Sequence, residues 1–220
     1  MIHPFGEAAL LVDTASADRA QTLAADLQRD PIPGVIATIP GLGSLLVELD
    51  PFAADPEAVR DAVATRLSHV AEQTAGTRLR TIPVAYGGEM GPDLPDVAAM
   101  TGLSQAEVVE RHATAKLRVL FDGFAPGFAY LGDLPVELRV ARLETPRTRT
   151  PTGSVAIAGL MSGVYPAALP GGWRVIGRTP VTLFDPRRDP PAYLMPGDRV
   201  RFERIAAEER ERHAGVPDDW

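Results

Sequence analysis

The stretches that decide the fold read FDGFAPGFAYLGDLP at 121–135, PRTRTPTGSVAIAG at 146–159 and SGVYPAALPGGWRVIGRTPVTLFDP at 162–186. Glycine and proline recur every few residues there, yet aromatic and aliphatic residues fill the gaps. A disordered linker lacks such hydrophobic residues, and a helix does not tolerate so many helix breakers. These stretches therefore predict short strands joined by tight turns, which typically close into a barrel whose loops carry a site.

The composition of the 220 residues is that of a globular protein large enough to bury a core. The chain has no cysteine, which excludes disulfides and cysteine-bound zinc, and its four histidines are too scattered to predict a metal site. No apolar run is long enough to cross a bilayer and no secretory signal is visible, so we expect a cytoplasmic protein without membrane contact. The net charge of −7 argues against binding to nucleic acid.

The first part of the chain alternates strand and helix patterns. A strand, a helix, a hairpin and a second helix follow one another, at 8–13, from Ser16, at 35–39 with 44–49, and after the N-cap residue Asp55. The pattern predicts a small α+β domain over residues 1–82, a βαββα sandwich that a strand near 78–86 completes.

The remainder predicts a mostly-β barrel domain over residues 83–205, followed by a charged tail at 206–220 that is a frayed helix or disordered. Two short helices at 97–113 precede the barrel, and their spacing is similar to that of a helix-turn-helix. The second of them carries Glu107 and Glu110, which would point carboxylates toward DNA phosphates. We therefore interpret them as two packed helices that lead into the barrel.

Individual residues, rather than a complete catalytic motif, are the candidates for a site, since no GxxxxGK[ST], HExxH or GxSxG motif occurs. His112 follows a helix C-terminus, which would favour its protonated form; a packed, hydrogen-bonded histidine is the alternative. Arg178, and Arg147 in a local basic cluster, suit a phosphate or carboxylate, although solvated surface arginines give the same pattern. Ser154 would either line the site or cap a turn.

An aromatic, glycine-opened loop occupies 124–130. Such a loop can wall a pocket for a flat small molecule. It can equally form a hydrophobic corner of the barrel or a patch that docks a partner. The residues alone leave these three interpretations open.

Longer motifs span much of the second domain. They are YGGEMGPDL at 86–94, His112, GFAPGFAYLGDL at 123–134, PRTRTPTGSVAIAG at 146–159 and YPAALPGGWRVIGRTP at 165–180, followed by LFDP and PGDRVRF. In this order they resemble the KipI family, whose members are called the B subunit of 5-oxoprolinase (PxpB), sporulation kinase inhibitor KipI and, in older naming, allophanate hydrolase subunit 1. The resemblance is near-continuous from about 83 to 205. Two positions depart from it: Met90 stands where we expect an acidic residue, and Thr152 where we expect alanine.

The resemblance implies an N-terminal α+β domain and a C-terminal cyclophilin-like β-barrel. It implies that the chain is the B subunit of an ATP-dependent 5-oxoprolinase, inactive alone, which acts with the KipA-like C subunit and a separate A subunit to open 5-oxo-L-proline to L-glutamate. The complex then consumes ATP, and Mg²⁺ could be bound together with the ATP. Whether ATP contacts this chain is left open. The other implied function is a KipI-type binding module that inhibits a sensor histidine kinase without catalysis.

For the enzyme, His112 is predicted as catalytic acid or base and Arg178 as a catalytic charge stabiliser. The residues predicted to bind the substrate are Phe124, Pro126, Gly127, Phe128, Tyr130, Arg147, Ser154, Gly171 and Gly172. Among them, Arg147 and the backbone N–H groups of Gly171 and Gly172 would help to stabilise charge. No residue is predicted to bind a metal, and we expect the working site to be shared with the C subunit.

Overall fold

The computed structural model describes residues 1–70 and 78–220, and the chain divides into two compact units, Met1–Gly76 and Thr77–Trp220. This division differs from the predicted boundary after residue 82. The strand Leu79–Tyr86 belongs entirely to the second unit, because it pairs only with strands of the barrel. Residues 71–77, which the predicted first domain included, lie outside the described residues.

The described part of the first unit is an α+β arrangement. Its elements are β1 (Ile2–Pro4), β2 (Ala9–Asp13), α1 (Ala17–Arg29), β3 (Val35–Pro40), β4 (Ser44–Leu49) and α2 (Pro56–His69). The strands form one antiparallel sheet in the order β1-β2-β4-β3. The observed order ββαββα adds β1 to the predicted βαββα order. The strand Leu79–Tyr86, expected to complete this sheet, is not part of it.

Period-2 and helical patterns explain these elements. Every second residue of β4 is buried, and this face meets apolar residues of both helices, among them Leu23 and Val59. Asp55 caps α2 as predicted, because its side chain accepts hydrogen bonds from the backbone N–H groups of Glu57 and Ala58.

The second unit is built around a closed barrel. Its strands are β5 (Leu79–Tyr86), β6 (Leu117–Asp122), β7 (Ala129–Gly132), β9 (Ser154–Ala158), β10 (Met161–Val164), β12 (Arg174–Arg178) and β13 (Arg199–Arg204). They close in the order β10-β7-β6-β13-β5-β12-β9, and every pairing is antiparallel except that of β5 with β13. This confirms the predicted barrel.

The other elements of the second unit lie around the barrel. They are the helices α3 (Leu94–Thr101) and α4 (Gln105–Thr114), the ribbon of β8 (Arg147–Thr150) with β11 (Leu169–Gly171), and 3₁₀ helices at Val136–Leu138 and Ala207–His213. A capping box between Ser104 and Glu107 starts α4, as the sequence predicted. Large side chains such as Leu131, Ile157 and Ile176 are fully buried in the barrel core, which also takes apolar residues from α3 and α4.

The charged tail is ordered, contrary to the prediction of a frayed or disordered end. Gly215 forms a bridge with Val181, so the chain returns along the barrel after the 3₁₀ helix. The Asp219 carboxylate accepts hydrogen bonds from Tyr193 Oη at 2.8 Å and Arg80 Nη1 at 3.0 Å. The sequence pattern missed this because the contacts join residues up to 139 positions apart.

A substitution at Gly91 can test how tightly the turn after β5 packs on the barrel. A Cβ atom there would lie 1.9 Å from the carbonyl oxygen of Ile176 in β12, a backbone atom that cannot turn aside. We expect Gly91→Ala to lower the free energy of unfolding by about 2–4 kcal/mol, as overpacking against backbone does. Urea unfolding followed by tryptophan fluorescence measures this in the right unit, because Trp173 and Trp220 both belong to it.

Gly123→Ala is the matched control. A Cβ at Gly123 would make only an ordinary contact, at 3.8 Å from the Tyr130 ring. If the free energy of unfolding of Gly91→Ala is no lower than that of Gly123→Ala, the turn does not pack closely against the barrel.

Candidate functional site

Alternation along the barrel strands distinguishes an inner face from an outer face. In β9, Val155 and Ile157 belong to the barrel core, whereas Ala156 belongs to a separate aromatic cluster. Alternate side chains of a strand point to opposite faces, so Ser154 lies on the outer face with Ala156. Arg178 of β12 stands opposite Ser154 in the antiparallel register and shares its face.

The aromatic cluster covers part of this outer face. Phe128 is 2% exposed and lies edge-on to Tyr165 and Trp173, with ring centroids 5.3 and 5.8 Å away, and Tyr130 is 5.0 Å away. Gly171 allows this packing, since a Cβ there would lie 2.2 Å from the Tyr165 hydroxyl. Phe128 and Tyr130 therefore act as a hydrophobic corner, one of the three interpretations of the loop.

The tip of the same loop is exposed. Phe124, at φ 69°, is 57% exposed and touches the cluster edge-on at 5.3 Å from Phe128, and Pro126 is also exposed. Gly127, at φ 78°, anchors the loop, because a Cβ there would come within 2.7 Å of Phe184 Cβ. An exposed apolar tip of this kind could form a pocket wall or a docking patch, and both of those interpretations stay predictions.

Arg178 is half-buried and makes no ion pair with any residue in 1–70 or 78–220. Its Nε atom is shielded from solvent and has no hydrogen-bond partner among the described residues. Burial lowers the pKa of the Arg178 guanidinium and the charge of Arg210 lowers it further, while Glu89 acts in the opposite direction. The fully buried Ser154 hydroxyl opposite also lacks a described partner. Such donors are normally satisfied by a ligand or by water.

Arg147 does not join Arg178. Its Nη2 donates to Asp93 Oδ1 at 2.6 Å, and Asp93 Oδ2 accepts from the backbone N–H of Val175 at 2.6 Å. Val175 lies three residues before Arg178 along β12, and the ion pair neutralises the Arg147 charge within the fold. The prediction that Arg147 offers free charge to a substrate is therefore not supported by this geometry.

The glycine pair belongs with Arg147 as well. Gly171 pairs with Arg147 in the β8–β11 ribbon, and the carbonyl of Gly172 accepts the Leu143 N–H at 2.7 Å. The predicted role of their N–H groups as charge stabilisers beside Arg178 does not fit this placement, because the register puts them toward the other end of β12.

His112 lies inside the unit, with an exposed fraction of 0%. Its Nδ1 is 2.8 Å from Tyr86 Oη and its Nε2 is 2.8 Å from Ser162 Oγ, which donates to the carbonyl of Ala156 at 3.3 Å. The ring also stacks on Phe202 at 4.6 Å. Since the Ser162 proton goes to Ala156, Nε2–H donates to Ser162 and Tyr86 donates to Nδ1. This chain of hydrogen bonds requires a neutral imidazole.

Burial accordingly lowers the pKa of His112 to about 3. The prediction that the helix C-terminus keeps His112 protonated is wrong, because the desolvation of a fully buried ring outweighs the helix dipole. A role as acid or base in direct contact with substrate does not fit either, since both ring nitrogens are occupied. The alternative that the sequence left open, a packed and hydrogen-bonded histidine, describes it.

Tyr86 connects this buried chain to the surface of the unit. Two clefts of about 370 and 300 Å³ share Tyr86 and Arg204 in their walls. The larger is also lined by Ala85 and the start of the 3₁₀ helix Ala207–His213, and the smaller by the glycine turn Gly87–Gly88 and by α4. His112 thus fixes the tyrosine that lines both clefts.

Asp122 is a candidate that the sequence patterns did not indicate. It ends β6, just before the aromatic loop, and its Oδ1 is buried without a described partner. Burial raises the pKa of its carboxyl to about 7, and the Asp198 charge adds to the effect. A buried carboxyl whose pKa is raised by desolvation and by a nearby charge is a candidate for a functional site. Only its place at the end of a strand could have suggested it from sequence.

Within 1–70 and 78–220, no group of three or more histidine, aspartate and glutamate side chains is placed to hold a metal ion. Within the same residues, no helix has both the length and the apolar character that a membrane span needs.

Comparison with known proteins assigns the fold to a class. The matching family model is described as carboxyltransferase domain, subdomain C and D, and covers residues 1–194. The crystal structure of TTHA0988 is 35% identical, with a TM-score of 0.79, and the match covers 94% of this chain. The chain spans 40% of that longer protein. The fold is therefore that of a carboxyltransferase C/D domain.

Curated relatives narrow the class to a family. The chain is 42% identical over 202 residues to the B subunit of 5-oxoprolinase from Bacillus subtilis (strain 168), a match that covers 87% of this chain and 83% of the relative. It is 46% identical over 175 residues to the B subunit of 5-oxoprolinase from Escherichia coli O157:H7, a match that covers 78% of each. The chain belongs to the family of 5-oxoprolinase B subunits, as the motifs indicated.

The neutral His112 predicts a specific dependence of stability on pH. The unfolded chain binds a proton at His112 below its ordinary pKa of 6.5, whereas the folded chain does so only near 3. Stability is therefore lost as the pH falls through this window, by about 1.4 kcal/mol per pH unit from this group. The free-energy advantage of the wild type over His112→Gln in urea unfolding should shrink by about 1 kcal/mol from pH 6.5 to 5.5, because the unfolded histidine is already half protonated at pH 6.5. The exposed His213→Gln serves as the control, and a pH-independent advantage would contradict the burial of a neutral ring.

Asp122 predicts the opposite dependence. Its folded-state pKa is raised to about 7 from 3.8, so stability falls as the pH rises between these values. Asp122→Asn should raise the melting temperature at pH 8, where the native carboxyl is charged, by about 4 °C or more. The gain should be much smaller at pH 4.5. The exposed Asp218→Asn should change neither value, and an equal gain at both pH values would mean that Asp122 is solvated.

Proposed function

We propose that this chain acts as the B subunit of an ATP-dependent 5-oxoprolinase, which hydrolyses 5-oxo-L-proline to L-glutamate together with the A and C subunits. The observation that carries the proposal is the family membership, which extends over most of this chain and most of its relatives. A protein that is named as one subunit implies further subunits. The proposal assigns the partner roles to the C subunit, which is KipA-like, and to the A subunit.

The chemistry of the reaction is compatible with the unpaired cation on the outer face. A five-membered lactam is a stabilised amide, and ATP activates it by phosphorylating the amide oxygen. The enzyme then has to hold negative charge and limit the access of water. Arg178 is suited to the first task, because it is half-buried and has no carboxylate paired with it among the described residues. The exposed tip with Phe124 and Pro126 is suited to the second once a partner covers it.

His112 takes a different role in this proposal from the one first predicted. Its ring is fully buried and its nitrogens are occupied, so it acts as a positioning residue that holds Tyr86 in the walls of the two clefts. Ser154 lies opposite Arg178 on the outer face, and Phe128 and Tyr130 belong to the aromatic cluster that covers part of that face.

The site in this chain is a partial one. Arg178 Nε has no hydrogen-bond partner among the described residues, and those residues hold no metal-binding cluster, so we expect the chain alone to be inactive. The C subunit would complete the site, and ATP, with any Mg²⁺ bound to it, would be consumed by the assembled complex. Because the reaction uses ATP, we expect the complex to lie in the cytoplasm.

The alternative, a KipI-type inhibitor of a sensor histidine kinase, is not favoured. The three curated relatives at 42–46% identity carry the oxoprolinase name.

Reconstitution tests the enzymatic proposal. The purified A and C subunits with this chain, ATP and 5-oxo-L-proline should form L-glutamate, measured by a coupled glutamate assay. Leaving out this chain should abolish the product. If the rate is unchanged without it, the chain is not part of the enzyme.

Arg178→Ala in the same assay tests the site. We expect a loss of at least about a hundredfold in turnover, typical of removing one preorganised charge stabiliser. The chain should still fold and still bind the C subunit, checked by circular dichroism and gel filtration. Arg212→Ala, an exposed arginine of the tail, is the control and should keep full activity. An active Arg178→Ala complex would remove Arg178 from the site.

A further inference from the structure

The C-terminal 3₁₀ helix Ala207–His213 crosses the outer face of the barrel close to Arg178. Before it, the N–H of Ile205 donates to the carbonyl of Val84 in β5, at 3.0 Å. After it, Gly215 donates to the Pro180 carbonyl at 3.3 Å and accepts from the Thr182 N–H at 2.7 Å. Pro180 lies two residues beyond Arg178, so both ends of the segment are fixed beside the strand pair that carries Arg178.

This segment brings a second cation to the outer face. Arg210 is half-buried, and its Nε, like that of Arg178, is shielded from solvent without a hydrogen-bond partner in the described chain. Arg210 is near enough to Arg178 for its charge to lower the pKa of that guanidinium, after the larger effect of burial. The hydrogen bonds of Ile205 and Gly215 thus hold two segments side by side that each carry a partly desolvated cation, which is unfavourable unless something negative offsets them.

The other buried arginines of this unit have such a partner. Arg80 meets Asp219 at 3.0 Å and Asp198 at 3.7 Å, and Arg147 meets Asp93 at 2.6 Å. Neither Arg178 nor Arg210 has a carboxylate within 4.0 Å among residues 1–70 and 78–220. Arg80 and Arg147 also have one buried nitrogen without a hydrogen bond, so the feature that distinguishes Arg178 and Arg210 is the missing carboxylate.

The nearby carboxylates do not fill this place. Glu209 turns back to accept the N–H of Ala206 at 2.9 Å, and Glu89 is exposed and acts on Arg178 only at longer range. A further donor is present instead, since the buried Ser154 hydroxyl lies opposite Arg178 on the same face without a partner among the described residues. Arginine forks and a hydroxyl are the donors that carboxylates and phosphates prefer.

We infer that Arg178 and Arg210, with the Ser154 hydroxyl, form a binding site for one oxyanion, a carboxylate or phosphate group, on the outer face of the barrel beneath the C-terminal 3₁₀ helix. This site deepens the proposed function. It rests on that function only in the identity of the natural ligand, which would be the carboxylate of the substrate or a phosphate of ATP. It assigns Arg210, which the sequence motifs did not point to, as a binding residue.

Binding to the isolated full-length chain tests the site without requiring turnover. Isothermal titration calorimetry should compare inorganic phosphate with 5-oxo-L-proline, and 2-pyrrolidinone, the same lactam without its carboxylate, should serve as the neutral probe. We expect phosphate or 5-oxo-L-proline to bind and 2-pyrrolidinone not to bind. The affinity should fall as NaCl rises from about 20 to about 200 mM, as expected for a charge-assisted contact.

Variants decide whether the two arginines are responsible. Arg210→Gln and Arg178→Gln should each weaken binding by about tenfold or more, the usual effect of losing a charge-assisted hydrogen bond. Arg212→Gln, exposed on the same 3₁₀ helix, is the matched control and should bind as the wild type does. Circular dichroism verifies that each variant is folded.

The outcomes separate the two proposals. Binding that depends on Arg178 and Arg210 supports the oxyanion site even if reconstituted turnover fails, and the probe that binds identifies the chemistry. If neither phosphate nor 5-oxo-L-proline binds at millimolar concentration, or if Arg210→Gln binds as tightly as Arg212→Gln, the site is refuted, whether or not the complex has oxoprolinase activity.

Discussion

Closure of the barrel fills its interior with side chains, and this constraint decides where chemistry can occur in the second unit. Leu131, Ile157 and Ile176 are fully buried there, together with apolar residues from both preceding helices. A small barrel packed in this way leaves no room for a substrate between its strands. Polar groups that serve a ligand therefore have to project outward or lie in loops. Arg178 and Ser154 follow that requirement, because the strand alternation that places Val155 inside places them outside.

The sequence predicted the features that depend on local patterns. The breaker-rich stretches indicated strands and turns, and a barrel is what they form. Asp55 and Ser104 were recognised as helix caps because a cap needs only a side chain and the backbone a few residues later. The motifs also identified the family, which the comparisons confirm. Phe128 and Arg178 were selected from such local cues, and the structure brings them to the same outer face.

What the sequence could not predict depends on contacts between distant residues. The position of His112 near a helix end suggested a protonated ring, but its true environment is set by Tyr86 and Ser162, which lie 26 and 50 residues away. The sequence suggested that the charge of Arg147 is unpaired, but Arg147 pairs with Asp93, which lies 54 positions earlier. The tail was judged from its charged composition, yet its order comes from contacts with distant strands and loops of the barrel. Burial, and therefore the pKa of a group such as Asp122, follows from the same long-range packing.

The parallel pairing of β5 with β13 has a consequence for how the protein is made. The first strand of the barrel, Leu79–Tyr86, pairs with Arg174–Arg178 and Arg199–Arg204, so it has neither barrel neighbour until about ninety further residues have been made. A nascent chain must therefore keep this strand unpaired while the intervening residues are made, which is a state prone to aggregation. Pairings between residues so far apart in sequence form slowly, and the barrel can close only once its last strand, Arg199–Arg204, has been made.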